Sequence, residues 1–84
     1  MIRHDAIDDA ALHRMIRDGR LTFAGNRRQK IFGRLDCRAG RRLARAHRVF
    51  FASRGEAERC GYRPCAHCLR AAYDVWKSAV NSGI

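Results

Sequence analysis

Long apolar runs are absent from this chain of 84 residues. None approaches the roughly 20 residues that a membrane-spanning helix needs. The segment Met1–Asp9 contains polar and acidic residues instead of a positive start followed by an apolar stretch, so we expect no signal peptide. Internal repeats, linkers and low-complexity tracts are also missing, which predicts one domain over residues 1–84. We therefore expect a cytoplasmic, reducing location, where cysteines favour metal binding over disulfides.

Acidic residues are scarce, and the resulting charge is concentrated in one segment. The chain has 18 lysines and arginines against 8 acids, which gives a formal net charge of +10. Between Leu21 and Gly55 one acid, Asp36, stands against ten basic residues: Arg27, Arg28, Lys30, Arg34, Arg38, Arg41, Arg42, Arg45, Arg48 and Arg54. This block favours a polyanionic partner, because each phosphate that a side chain neutralises releases condensed counterions. A solvated basic face without a partner is the alternative interpretation.

Three short segments with strand-like composition predict a small three-stranded sheet: Leu21–Ala24, Lys30–Arg34 and Val49–Ala52. Between the last two, Arg38–Arg48 has no clean apolar period, so we expect an ordered basic loop with a helical turn around Leu43. The sheet should pack between helices in one α+β domain.

Helix signals flank these strands. Asp5 is the predicted N-cap of a first helix that Gly19 ends, and Ser53 with Glu56 predicts a capping box for a short helix ending at Gly61. A final helix should pack its apolar stripe on the sheet, formed by Leu69, Ala72, Tyr73, Trp76 and Val80.

The four cysteines are candidates for a covalent or metal staple, which domains of this size commonly need. Cys65 and Cys68 are spaced so that both can chelate a metal from one turn, and Pro64 fixes the chain just before them. Cys37 supplies a third, distant thiol. Since zinc favours four tetrahedral ligands and readily takes thiolates, we predict that Cys37, Cys65 and Cys68 bind Zn²⁺. Buried free thiols and a disulfide are the alternatives.

The fourth ligand is open from spacing alone. His67 is nearest in sequence, but it and Cys68 have to converge from different faces, which requires an irregular turn. We rank His67 first, and Cys60, His47 and water remain alternatives. His67 has a second possible role as a contact to phosphate.

Two motifs in the chain resemble those of a known family. Phe32-Gly33-Arg34-Leu35-Asp36-Cys37 is similar to Phe-Cys-Arg-Pro-x-Cys, and Gly61-Tyr62-Arg63-Pro64-Cys65-Ala66-His67-Cys68 is similar to Gly-Phe-Arg-Pro-Cys-x-Arg-Cys. Both belong to the zinc-binding N-terminal domain of the bacterial DNA-repair protein Ada, and the resemblance runs from about Asp18 to Cys68. The chain departs from the family motifs at three positions. Leu35 stands where the family has proline, His67 where it has arginine, and Gly33 where it has the methyl-accepting cysteine.

The resemblance implies a zinc-stapled domain related to DNA repair. In the family, a zinc thiolate accepts a methyl group from a DNA phosphotriester, and DNA binding then strengthens. Gly33 cannot accept a methyl group, so we expect the binding half of that mechanism without the reaction, with DNA preferred to RNA. The candidate contacts to nucleic acid are Arg34, Arg38, Arg41, Arg42, Arg45 and Arg63.

Two other functions remain open. The first is an enzyme in which one of the remaining zinc thiolates, Cys37 above all, accepts the methyl group. A zinc-stapled adaptor that docks on an acidic protein partner is the other. In each case we expect a monomer.

Overall fold

The computed structural model describes residues 1–82, which form a mixed α+β structure. Its strands are β1 (Ile2–Arg3), β2 (Phe23–Asn26), β3 (Ile31–Arg34), β4 (Arg48–Phe51) and β5 (Arg63–Pro64). Its α-helices are α1 (Asp9–Arg17), α2 (Arg38–Arg41), α3 (Arg54–Arg59) and α4 (Arg70–Ser82). Two 3₁₀ turns span His4–Ala6 and Arg45–His47. No helix in the described range is long and apolar enough to cross a membrane.

The strands form one sheet in the order β1-β4-β2-β3-β5, antiparallel except for β5, which runs parallel to β3. The predicted α+β fold is confirmed, and the three predicted strands are β2, β3 and β4 with small shifts of their ends. The predicted number of strands was too low, because β1 and β5 each add a two-residue edge strand. Two residues are too short to show an alternation in the sequence.

Both faces of the sheet are buried, because β4 alternates apolar side chains to either side. Val49 and Phe51 pack on one face with Phe32, in a cluster that includes Ala57 of α3. Phe50 packs on the opposite face, in a cluster completed by Leu12, Leu21 and Ala24. The sheet therefore lies between α3 and α1, as predicted.

Local capping chemistry sets the ends of α1 and α3. The N-cap of α1 is Asp8, whose side chain accepts from Ala11 N at 2.8 Å; the prediction of Asp5 was wrong, because Asp5 lies in the preceding 3₁₀ turn. Ser53 caps α3 by accepting from Glu56 N at 3.1 Å, which confirms the predicted start of that helix. Helices α1 and α3 are each followed by a glycine with positive φ, Gly19 at 76° and Gly61 at 85°.

The last helix departs from the prediction in part. It packs chiefly against β5, where the Arg63 guanidinium lies over the rings of Tyr73 at 5.2 Å and Trp76 at 5.6 Å. Val75 is 67% exposed and Val80 is 46% exposed. The predicted stripe therefore does not pack on the sheet along its full length, and the prediction for Val80 was wrong. In the basic loop, helical structure lies on either side of Leu43, in α2 and in the second 3₁₀ turn.

Candidate metal centre

Strand β3 positions the three cysteines of the predicted zinc site. Cys65 follows β5 and donates its backbone N–H to Phe32 O at 2.8 Å, which continues the pairing of β5 with β3. Cys37 directly precedes α2 and donates its N–H to Arg34 O at 3.1 Å. Cys68 lies in the turn before α4, and its sulfur accepts from Arg34 N at 3.2 Å. One strand therefore fixes three segments that are distant in sequence.

The sulfur atoms of Cys37, Cys65 and Cys68 all lie within 4.8 Å of one another, and those of Cys37 and Cys65 are 4.0 Å apart. Tetrahedral zinc with bonds of about 2.3 Å holds its sulfur ligands about 3.8 Å apart. The donor set and its spacing therefore fit a zinc ion. Cys65 is buried, and the other two are half-buried.

The surroundings of Cys65 and Cys68 shift the pKa values of their thiols in opposite directions. Burial acts to raise the pKa of the Cys65 thiol, but hydrogen bonds from the backbone N–H groups of Cys68 and His67 outweigh it and bring that pKa below its usual value. Burial raises the pKa of Cys68 to about 12, against the opposing hydrogen bond from the backbone of Arg34. Metal ligation requires thiolates, so metal binding must displace the Cys68 proton, and affinity for the metal should fall as the pH falls.

Gly33 lies directly against the sulfur cluster. A Cβ atom built on it would lie 2.6 Å from Cys68 Sγ and 3.1 Å from Cys65 Cβ. A side chain at this position would therefore point into the cluster, where the motif of the resembling family has its methyl-accepting cysteine. In this chain the position adds no donor atom.

The other predicted ligands lie outside this cluster. Among residues 1–82, the three cysteines are the only group of three or more histidine, cysteine or carboxylate ligand atoms that all lie within 4.8 Å of one another. His67 is exposed, Cys60 is exposed at the end of α3, and His47 lies in the second 3₁₀ turn. The fourth ligand stays a prediction.

Comparison with protein families supports the resemblance drawn from the motifs. The family model described as the metal binding domain of Ada matches residues 9–70, a range that includes Gly33 and the clustered cysteines. The chain belongs to this family. No curated protein and no solved structure matches it.

Three of the predicted arginines border the metal centre of this Ada-family domain. Arg34, Arg38 and Arg42 line an open concavity together with His67 and the cluster cysteines Cys37 and Cys68. We call it the arginine concavity. Arg34 pairs with Asp36 at 3.1 Å, whereas Arg38 and Arg42 are exposed and form no ion pair within the described residues.

The remaining three candidates lie apart from the arginine concavity. Arg45 donates to Asp9 of α1 at 2.9 Å, and Arg41 lines a separate depression beside it. Arg63 donates to Pro64 O at 3.0 Å and is stacked on α4, a role that no local sequence signal indicated. The six predicted arginines therefore do not all line the arginine concavity.

We expect one zinc ion per chain and a strong dependence on Cys65. Since loss of a residue that only supports a ligand costs about 10- to 100-fold in metal affinity, Cys65→Ser should cost more than about 100-fold. Competition with a chromophoric chelator measures the affinity, and elemental analysis measures the stoichiometry. Cys60→Ser is the matched control and should retain the wild-type affinity. Equal zinc affinity in the two variants would contradict this assignment.

We also expect Gly33→Ala to weaken zinc binding by about tenfold or more, because its Cβ displaces the Cys68 sulfur and such overpacking is costly. Gly40→Ala is the control, since a Cβ there meets its nearest neighbour, Cys37 Cβ, at an ordinary 4.0 Å. The same chelator competition compares the two. If both variants bind zinc like the wild type, the close packing at Gly33 does not matter for the site.

Proposed function

We propose that this Ada-family domain binds zinc as a structural staple and binds nucleic acid through the arginine concavity. Zinc is the proposed metal because this redox-inert ion readily binds thiolates, and the chain offers a compact set of three thiols. Bound there, it would cross-link the start of α2, the end of β5 and the start of α4. A small domain gains much of its folding free energy from such a link.

The observation that carries the binding proposal is the position of the arginine concavity at the edge of the thiol cluster. Arg38 and Arg42 are free of carboxylate partners within residues 1–82, so their guanidinium groups are available to an incoming anion. The planar fork of arginine matches the oxygens of a phosphate diester. His67 lies in the same lining and can donate a further hydrogen bond.

The wider charge distribution favours a polymer over a single phosphate. Exposed Arg28 and Arg41 also lack ion pairs among the described residues, and the whole chain has a formal net charge of +10. A field of this sign attracts polyanions and makes their binding depend on salt. We propose DNA as the preferred polymer because the motifs resemble those of a DNA-repair protein.

The proposed role is non-catalytic, and this predicts that no methyl group is transferred. After incubation of the zinc-loaded chain with DNA containing methylphosphotriesters, intact-protein mass spectrometry should show an unchanged mass. The Gly33→Cys variant is the informative comparison, because it restores a thiol at the methyl-accepting position of the family motif. A stoichiometric gain of one methyl group on wild-type Cys37, Cys65 or Cys68 would support the enzyme interpretation instead.

Nucleic-acid binding should be weakly sequence-specific and strongly salt-dependent. Removal of two phosphate contacts by Arg38→Ala with Arg42→Ala should make the slope of log affinity against log salt less steep by about 1.8 on duplex DNA. Fluorescence anisotropy at several salt concentrations measures this slope, and circular dichroism checks that the variant is folded.

The charge-matched control is Arg17→Ala with Arg70→Ala, which removes two exposed arginines outside the arginine concavity. Its slope should stay close to that of the wild type. Equal slopes in the two double variants would contradict the proposed site and would indicate that the overall positive charge of the chain attracts the DNA. Absence of binding to duplex DNA, single strands and RNA at low salt would favour an acidic protein partner.

A further inference from the structure

A second depression adjoins the thiol cluster on the side of Gly33. It has a volume of about 300 Å³, and we call it the hollow. Its apolar lining includes Ala24, Ile31 and Gly33 from the sheet and Ala39 and Leu43 from the basic loop. Cys37 and Cys65 line it as well, so the hollow reaches two of the three clustered thiols.

The hollow follows from two small residues side by side. Ala24 of β2 pairs with Gly33 of β3 across the ladder, so both lie on the same face of the sheet. On this face α1 packs over Phe50 and Ala24, and the small size of Ala24 and Gly33 leaves depth beneath the segment that contains α2. A cysteine at position 33 would project toward Cys68 and Cys65. With glycine at this position, only backbone atoms of β3 face the sulfur atoms.

We propose that the hollow binds a low-molecular-weight thiol whose sulfur is the fourth ligand of the metal held by Cys37, Cys65 and Cys68. This inference rests on the metal-binding part of the proposed function and is independent of nucleic acid. The thiol loses its proton to solvent, and the thiolate sulfur donates an electron pair to the metal. The chain supplies three of the four ligands that zinc prefers, and a free thiolate supplies a fourth of the same kind.

The dimensions and rim of the hollow favour a small anionic thiol. A volume of about 300 Å³ is at the lower end for small-molecule sites, and an apolar lining with few polar groups is typical of them. The polar side chains of its lining, other than those of the cysteines, belong to Asn26, Gln29, Arg34, Arg63 and His67. Arg63 has no carboxylate partner among the described residues, so a thiol that also carries a carboxylate gains an attraction that a neutral thiol lacks.

Cobalt substitution tests this inference with a spectroscopic signal. The full chain is loaded with Co²⁺ in buffer free of thiols, and 3-mercaptopropionate or 2-mercaptoethanol is titrated in. We expect a saturable change in the ligand-field bands and a rise in the sulfur-to-cobalt charge-transfer band. With each affinity corrected for the ionised fraction of the probe, 3-mercaptopropionate should bind about fivefold more tightly, from one extra charge interaction near the surface. Absence of a saturable change with both probes would overturn the proposal.

Two variants locate the binding site. Gly33→Cys should show a four-sulfur spectrum without added thiol and should not respond to the probes. Ala39→Trp, a substitution at an exposed position that lines the hollow, should weaken probe binding by about tenfold or more because the bulky ring occupies the space. Ala10→Trp, at an exposed position of α1, is its matched control and should bind like the wild type. If Gly33→Cys does not hold cobalt, the comparison of the two tryptophan variants decides, and equal affinities would refute the site.

The competing ligand within the chain is His67. If the proposal is correct, His67→Ala retains the response to thiols. If His67 is the fourth ligand, the wild type shows no response and His67→Ala changes the spectrum before any probe is added, which overturns the inference alone. Failure of the wild type to bind cobalt overturns both this inference and the metal-binding part of the proposed function.

Discussion

The backbone hydrogen bonds of β3 hold the metal centre together. Phe32 O accepts from Cys65 N, Arg34 O accepts from Cys37 N, and Arg34 N donates to the sulfur of Cys68. Each clustered cysteine is thus tied to one three-residue stretch of strand, in which Phe32 is fully buried. The hydrophobic core fixes that strand, so the thiols are brought together by the fold and a metal ion would reinforce the arrangement.

Gly33 lies in the middle of this stretch and determines what the centre can do. Its lack of a side chain removes the thiol that the family motif uses to accept a methyl group. The same lack lets Cys65 and Cys68 lie against the strand and leaves the hollow open beside them. The arginine concavity also adjoins the cluster and shares Arg34, Cys37, Ala39 and His67 with the lining of the hollow. The hollow and the arginine concavity therefore adjoin the same thiol cluster, and Cys37 lines both of them.

Sequence patterns predicted the features that depend on local chemistry. The apolar segments indicated β2, β3 and β4, and the capping role of Ser53 follows from a hydroxyl three residues before an acid. The spacing of Cys65 and Cys68 indicated a chelating turn. Edge strands β1 and β5 were missed because two residues cannot show a period. The periodicity of the last helix was real, but it could not reveal that the helix packs chiefly against the edge strand β5 and leaves Val80 46% exposed.

Contacts between distant residues were beyond what spacing could reveal. The linear density of arginines did not indicate that Arg45 pairs with Asp9, 36 residues away, or that Arg63 stacks on Tyr73 and Trp76. The fourth ligand could not be predicted for a related reason. Three thiols converge, and within residues 1–82 no fourth histidine, cysteine or carboxylate converges with them.

X-ray absorption at the zinc edge tests the central claim most directly, because it counts the sulfur atoms bound to the metal. For the zinc-loaded chain in buffer free of thiols, we expect three sulfur ligands at about 2.3 Å and one lighter atom. Cys60→Ser should give the same spectrum, and Cys68→Ser should lose one sulfur or the metal itself. Fewer than three sulfur ligands in the wild type would contradict a centre built from Cys37, Cys65 and Cys68.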